Sequence, residues 1–400
     1  MKKFSLTIIL LLLPLLLSAQ QKAKYVFYFI GDGMGFNHVS VTEYWLGHIE
    51  GVFDSRPLAF SQFPVLGWAV THSASNLITD SAAAGTALST GSKTDNGMLG
   101  VAPDTTKLES IASKIHNAGY KVGISSTVGI NHATPGAFYG HNASRSNYYD
   151  IAMEIPGSGF EFFAGGGVIE CTGEEGDKAS VYDFIEKNGY VIAEGMDEFY
   201  GMKAGAGKMM LLQEDGRMKT ELPYAIDMKD DDMTQADLVK ASIDFLYDGD
   251  GQGFFVMSEG GRIDWASHGN DTKTMILETL SLSEAVAEAV KFYNEHPDET
   301  LIVVTADHET GGLTMSWKSG YDVYFDKIEN IGKSKDFASD EERKAMDEAS
   351  HAAHIGWTTG DHSGANVPVF AIGAGSSLFS GRMDNTEIPK KICEAMGITF

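Results

Sequence analysis

The chain has 400 residues, of which 43% are hydrophobic and 21% charged, the composition of a soluble globular protein with an ample core. With 55 acidic against 30 basic side chains its formal charge is −25, which argues against nucleic acid or an anionic membrane as a partner. An anionic substrate is compatible with that charge only where bound cations reverse its sign locally.

The chain opens Met1-Lys2-Lys3, runs apolar from Phe4 to Leu17 and continues Ser18-Ala19-Gln20, the charged, apolar and small-residue order of a secretory leader. Residues 1–19 are thus expected as a signal peptide cut after Ala19, leaving a mature chain of formal charge −27, since the leader carries two lysines and no acid. The apolar run is short for a span, no cysteine follows it for lipid anchoring, and no later segment is long and apolar enough to cross a membrane. The expected location is outside the inner membrane, periplasmic or extracellular. Export permits a disulfide, but Cys171 and Cys393 lie far apart and are equally compatible with two free, buried thiols.

Five apolar runs read as buried strands, near-continuously apolar as parallel strands are: Tyr25 to Ile30, Val122 to Ser126, Phe254 to Met257, Leu301 to Thr305 and Val367 to Ile372. Helical spacing runs over Leu108 to Ala118, Gln235 to Tyr247 and Thr274 to Tyr293. The alternation predicts an α/β fold, a three-layer αβα sandwich around a mainly parallel sheet, as one domain over residues 20–400. Two stretches, about 169–232 and about 316–359, read as surface insertions or caps, the second helix-prone around Glu341 to His354. The acidic run Asp230-Asp-Asp232 lacks a full ligand spacing for calcium and reads as a solvated loop.

Clusters of metal-ligating residue types stand close to the predicted strands. Asp32 lies in Gly31-Asp-Gly-Met-Gly35; Glu259, Asp264 and His268 lie in Glu259-Gly-Gly-Arg-Ile-Asp264-Trp-Ala-Ser-His268; Asp307-His308 follows an apolar run; and Asp361-His362-Ser-Gly follows a Trp-Thr-Thr-Gly turn. Oxygen and imidazole ligands without cysteine suit Zn²⁺ and Mg²⁺ in a hydrolytic site, and sites in such sheets form at the carboxyl ends of strands. In Thr79-Asp80-Ser81-Ala-Ala-Ala-Gly-Thr86, Ser81 precedes a helix-favouring run. A serine at a helix N-terminus can meet an anion held by free N–H groups. On these residues alone a plain N-cap at Asp80 or Ser81 is the simpler reading; the metal-ligand clusters reverse the preference.

These segments, with His132-Ala-Thr-Pro135, Thr305-Ala-Asp-His-Glu-Thr-Gly-Gly312 and Asp361-His-Ser-Gly364, resemble the ordered motifs of alkaline phosphatases from about Val26 to Ile372. Each motif alone is weak to moderate, but the ordered set is specific. The resemblance implies a phosphate monoesterase with two zinc ions and one magnesium ion. Ser81 would be the nucleophile that takes the phosphoryl group. Asp264, His268 and His362 would hold the first zinc, and Asp264 and His268, four apart, share one face if that turn is helical. Asp32, Asp307, His308 and the Ser81 oxygen would surround the second. Asp32 would also reach magnesium, completed by Thr134 and Glu259. Arg145 would clamp two phosphate oxygens with its planar fork. Zinc coordination activates a serine that is otherwise a poor nucleophile near neutral pH, and two metals can serve both ends of an in-line displacement.

Two positions depart from the most familiar bacterial pattern. His132 stands where some bacterial members carry Asp, and Trp265 where those carry Lys; the pair is similar to certain marine and cold-environment bacterial enzymes. Both are expected near magnesium and phosphate, as substrate-side or supporting residues, and the loss of a cation at 265 is expected to weaken phosphate holding. His141 reads as a hydrogen-bonded structural histidine, and His351 and His354 as surface histidines. The competing reading is a phosphodiesterase or nucleotide pyrophosphatase of the same superfamily; Ser81, Arg145 and the Thr134/Glu259 pair favour monoesters. A sulfatase lacks its Cys or Ser-x-Pro-x-Arg site here, and a non-catalytic metal- or phosphate-binding protein would not need an intact nucleophile. The resemblance further implies broad ester specificity, an alkaline optimum, phosphate scavenging and a possible homodimer.

Overall fold

The structure, a computed structural model, describes residues 22–249, 251–318 and 320–400, so the expected leader at 1–19 lies outside the described residues. Among the described residues fourteen strands follow in chain order: β1 (Tyr25–Gly31), β2 (Val65–Val70), β3 (Lys121–Ser126), β4 (Phe162–Gly165), β5 (Tyr190–Glu194), β6 (Lys208–Leu212), β7 (Phe254–Gly260), β8 (Thr300–Thr305), β9 (Glu309–Thr310), β10 (Thr314–Met315), β11 (Ile355–Gly356), β12 (His362–Ser363), β13 (Val367–Gly373) and β14 (Gly381–Asp384). Ten form one sheet in the order β14-β2-β13-β8-β1-β7-β3-β4-β6-β5. The remaining four make two short antiparallel pairs, β9 with β12 and β10 with β11.

All five apolar runs are strands of this sheet, and the central ones are buried on both faces, as their unbroken apolar character requires: every residue of β1, β7 and β8 is buried. Burying each large apolar side chain there contributes roughly 1.5–3 kcal/mol. One run departs from the parallel reading. β13 is antiparallel to both of its neighbours, β8 and β2, while every other pairing in the sheet is parallel. An apolar run reports burial on two faces and carries no information on direction.

Seven of the helices form two groups. Phe36–Ile49, Gln235–Leu246 and Thr272–Glu295 pack together, as do Ser81–Thr90, Ile111–Asn117, Ala133–Gly136 and Glu387–Met396, giving the outer layers of an α/β sandwich. The Ser81–Thr90 helix follows from its alanines, the best helix formers, and from its ends. The Asp80 side chain accepts from the Ala83 N–H at the start, and Gly91 closes it in the left-handed region at φ 66°.

Within residues 169–232, β5 and β6 extend the sheet at its edge beside β4. Residues 316–359 stay outside the sheet and carry the helix Asp340–Ala352. Cys171 and Cys393 are both free thiols. Among the described residues no helix is long and apolar enough to cross a membrane.

Candidate active site

The register aligns the carboxyl ends of the central strands. Glu259 on β7 lies level with Ile30 on β1 and Ser126 on β3, and Ile30 is level with Thr305 on β8. The strand ends therefore deliver these residues to one place: Asp32 just past β1, Glu259 next to last in β7, Asp307 and His308 just past β8. β13 explains how His362 joins them. Because β13 is antiparallel, its beginning lies at the same edge, and β12, which precedes it, pairs His362 with Thr310. The turn after β1 is tight: Gly33 has φ 75°, and a Cβ there would lie 2.8 Å from Thr310 Oγ1 and 2.9 Å from the Asp264 Cα. Only glycine fits that position without strain.

Three groups of ligand-type atoms result, each gathered within 4.8 Å: Asp264, His268 and His362; Asp32, Asp307 and His308; and Asp32, His132 and Glu259. In the first, Asp264 and His268 share one face of the helix Arg262–His268, with His268 Nε2 3.2 Å from Asp264 Oδ2. His362 Nε2 lies 3.6 Å from Asp264 Oδ1 and 3.2 Å from His268 Nε2. In the second, His308 Nε2 lies 3.4 Å from Asp32 Oδ1 and 3.2 Å from Asp307 Oδ2. The rings of His308 and His362 stack at 3.5 Å, joining the first two groups.

Burial and crowding set the charges. Burial, then the neighbouring Asp307, Asp264 and Glu259, drives the Asp32 carboxyl well above its ordinary range. Burial followed by Asp264 pushes Asp307 up to about 6, and burial pushes Glu259 up to about 8. Burial pushes Asp264 upward too, but its hydrogen bond with His268 and the nearby His308 and His362 outweigh that and hold it low. The same bond lifts His268 to about 9. Burial lowers His308 to about 4 and, with Arg145, His132 to about 3.

Both oxygens of Asp32, Oδ2 of Asp307, Oε1 of Glu259 and the hydroxyl of Thr134 are buried without a hydrogen-bond partner. Each such acceptor destabilises a fold by about 1–3 kcal/mol, more when charged. Five at one point, among acids that raise one another's pKa, fit divalent cations. The mixed imidazole and carboxylate sets suit zinc, and the oxygens of Asp32, Glu259 and Thr134 suit magnesium.

Ser81 is the first residue of its helix, and its Oγ lies 3.2 Å from His308 Nε2, beside the second group. Arg145 donates from Nη1 to Asp80 Oδ2 at 3.1 Å and from Nη2 to His132 Nε2 at 3.2 Å. Arginine has no acceptor, so His132 accepts at Nε2 and carries its proton on Nδ1. In that state the ring borders the third group without a lone pair for a cation. The Trp265 ring stands 5.9 Å from His132, edge to face. All twelve residues singled out in the sequence thus lie in or against this strand-end cluster, with Thr134 entering through its buried hydroxyl.

Sequence reasoning assigned no role to several neighbours. Ser126 donates to Glu259 Oε2. Thr310 bonds ligands of two groups. Lys335, from the 316–359 segment, donates to the carbonyls of Gly269 and Asn270 just past the helix that carries Asp264 and His268. Thr310 had a signal, its place two residues after His308 inside a quoted motif. Lys335 had none. His141 is held by Glu154 and the Leu108 carbonyl, and His351 stacks on Trp317.

The family model for alkaline phosphatase matches residues 23–166 and 172–398. The chain is 30% identical to alkaline phosphatase 3 of Bacillus subtilis, over 94% of this chain and 90% of that one. It is 28% identical to the repressible alkaline phosphatase of Saccharomyces cerevisiae, over 93% and 81%. Among solved structures, the alkaline phosphatase from the Antarctic bacterium TAB5 superposes with TM-score 0.79 at 32% identity, covering 95% of this chain and all of that one. A cold-active alkaline phosphatase from Shewanella gives 0.82 at 29%, over 93% and 99%. The chain belongs to the alkaline phosphatase family and has its phosphomonoesterase activity.

Proposed function

We propose that this is an exported alkaline phosphatase that hydrolyses monoesters through a phosphoserine at Ser81, with two zinc ions and one magnesium ion, in the service of phosphate scavenging. The observation that carries the reading is the position of Ser81 Oγ, 3.2 Å from His308 Nε2 and at the N-terminus of its helix, where the orphaned oxygens of the metal-type groups converge.

Asp264, His268 and His362 would hold one zinc; Asp32, Asp307 and His308, with the Ser81 oxygen, the other. Asp32, Glu259 and Thr134 would hold magnesium, a set supported by the tautomer that keeps His132 out of it. Bound there, the cations would lower the pKa of oxygens they contact and offset negative charge on the phosphoryl group. The protein's own part is to position. The Ser81 oxygen forms a bond to phosphorus as the ester oxygen leaves with the alcohol; water then cleaves the phosphoserine and frees inorganic phosphate. Arg145, anchored by Asp80, presents its fork to the phosphoryl oxygens. Trp265 and His132 shape the phosphate side without an added cation, which favours product release over tight holding. The leader-like order of residues 1–19 supports export, and a homodimer is in keeping with the family.

The test is hydrolysis of p-nitrophenyl phosphate at alkaline pH beside bis-p-nitrophenyl phosphate, before and after chelation, with Zn²⁺ and Mg²⁺ add-back, and in Ser81→Ala. Monoesterase activity restored by both metals and lost in the variant is expected. Dominant diesterase activity would move the chain to the sister branch and remove the roles given to Arg145 and magnesium.

A further inference from the structure

Thr310 is buried in β9, two residues after His308 and opposite His362 in the β9–β12 pair. Its Oγ1 lies 2.5 Å from Oδ1 of Asp264 and 3.2 Å from Nδ1 of His308. Asp264 belongs to the first metal-type group and His308 to the second, so one hydroxyl touches a ligand of each. The Thr310 N–H donates to the Gly33 carbonyl, tying the strand to the turn that carries Asp32.

The proton count gives this hydroxyl a direction. An ionised carboxylate oxygen only accepts, so the single Thr310 proton goes to Asp264, and the hydroxyl oxygen accepts from His308. His308 must therefore carry its proton on Nδ1, which leaves the Nε2 lone pair facing Ser81 Oγ, Asp32 and Asp307. A lone pair and two carboxylates turned toward one point is the arrangement a cation needs. No other assignment of the single hydroxyl proton keeps both bonds, and a side chain at Gly33 would press on this oxygen, since a Cβ there would lie 2.8 Å from it.

We infer that Thr310 is a positioning residue that sets the Asp264 carboxylate and the His308 tautomer through one hydroxyl, and so couples metal binding at the two zinc sites. This rests on the two-zinc reading proposed above. Outer partners that orient metal ligands typically change affinity by 10–100-fold when removed. Here one hydroxyl touches a residue of each group.

The experiment is calorimetric titration of chelator-stripped protein with Zn²⁺, for the wild type, Thr310→Val and Thr310→Ser. Each is also placed in a His268→Ala background, which leaves the second site, and an Asp307→Ala background, which leaves the first. Valine keeps the shape and removes both bonds; serine keeps the hydroxyl. The expected result is zinc binding weakened roughly tenfold or more at both sites in Thr310→Val, with Thr310→Ser near the wild type. Melting of the stripped proteins identifies a variant that fails to fold, in which case Thr310→Ser and Thr310→Ala carry the comparison. Unchanged affinity at both sites, or weakening at one site only, would overturn the inference while leaving the two-zinc reading intact. A wild type that binds fewer than two zinc ions would overturn that reading, and this inference with it.

Discussion

Asp80 holds Arg145 with one carboxylate oxygen, at 3.1 Å from Nη1, while its other oxygen accepts from the Ala83 N–H at 3.0 Å. One side chain therefore caps the helix that begins at Ser81 and fixes the guanidinium beside it. Asp80 and His132 together hold the guanidinium beside Ser81, and only a planar group with several donors can reach both.

Arg145→Lys keeps the charge and loses the fork. A charge-assisted hydrogen bond contributes about 1.5–3 kcal/mol, so KM for a monoester is expected to rise roughly 10-fold to 100-fold. The helix cap at Asp80 does not depend on Arg145, so the melting temperature should stay close to that of the wild type. Steady-state kinetics and calorimetry on the same preparation check both halves; a large loss of stability with unchanged KM would mean that Arg145 acts in the fold alone.

Lys335 reaches from outside the sheet to the end of the helix that carries Asp264 and His268. Its Nζ donates to the Gly269 carbonyl at 2.8 Å, the Asn270 carbonyl at 3.2 Å and Asp347 Oδ1 at 2.5 Å. Carbonyls at a helix C-terminus lack partners within the helix, and a cation there also opposes the helix dipole. Lys335→Met should lower stability by roughly 1–3 kcal/mol, a drop of several degrees in the melting temperature. Lys344→Met, at an exposed surface pair 3.9 Å from Glu348, should change it little.

Glu278 is buried in the long helix Thr272–Glu295, where its Oε1 accepts from the Ala225 N–H at 2.6 Å. Burial raises it from 4.5 to about 7. The folded chain then holds a proton that the unfolded chain has released, so this contribution to stability is full below about 4.5 and lost as pH rises through 7. Glu278→Gln keeps the acceptor and removes the titration. Urea unfolding at pH 5 and pH 7.5 should show the wild type losing on the order of 2–3 kcal/mol more than the variant across that interval. Equal losses would mean that Glu278 does not titrate there.

The strands that place the site were legible because they are buried on both faces: Tyr25 to Ile30 and Leu301 to Thr305 have no other reading. Direction was not legible. Val367 to Ile372 is as apolar as its parallel neighbours, and only the structure shows that its reversal brings His362 to the site. The outermost strand β5 and its neighbour β6 were missed: two of the five β5 residues are only partly buried, which breaks the apolar pattern, and β6 opens on a partly buried lysine, Lys208. Ligand types could be read from motifs. Thr310, which bonds Asp264, and Lys335, which bonds the carbonyls past the helix that carries Asp264 and His268, are an ordinary threonine and lysine whose contacts span 46 and 66 residues of chain.

Removing the metals should make stability depend steeply on pH in a way the loaded protein does not. In the metal-free fold, burial holds Glu259 up at about 8, and the bond to Asp264 lifts His268 to about 9. Both groups bind protons more tightly folded than unfolded, so what they contribute is present at lower pH and lost as pH rises through 8 and 9. The lowered His132 and His308, at about 3 and 4, act in the opposite sense, but only below their ordinary value of 6.5. Between pH 7 and pH 9 the raised groups therefore decide the slope, with Asp32, which burial and its acidic neighbours also drive upward, acting in the same sense. The share of His268, whose side chain is 38% exposed, is reduced by solvent screening, so chelated protein should lose on the order of 1–2 kcal/mol of stability over that interval, chiefly through the buried acids. In the loaded protein a cation takes the place of the protons, and the slope should flatten. Glu259→Gln should remove part of the slope from the chelated protein alone. Chemical denaturation of both forms at pH 7, 8 and 9 measures it, and parallel curves for chelated and loaded protein would show that neither group binds a cation.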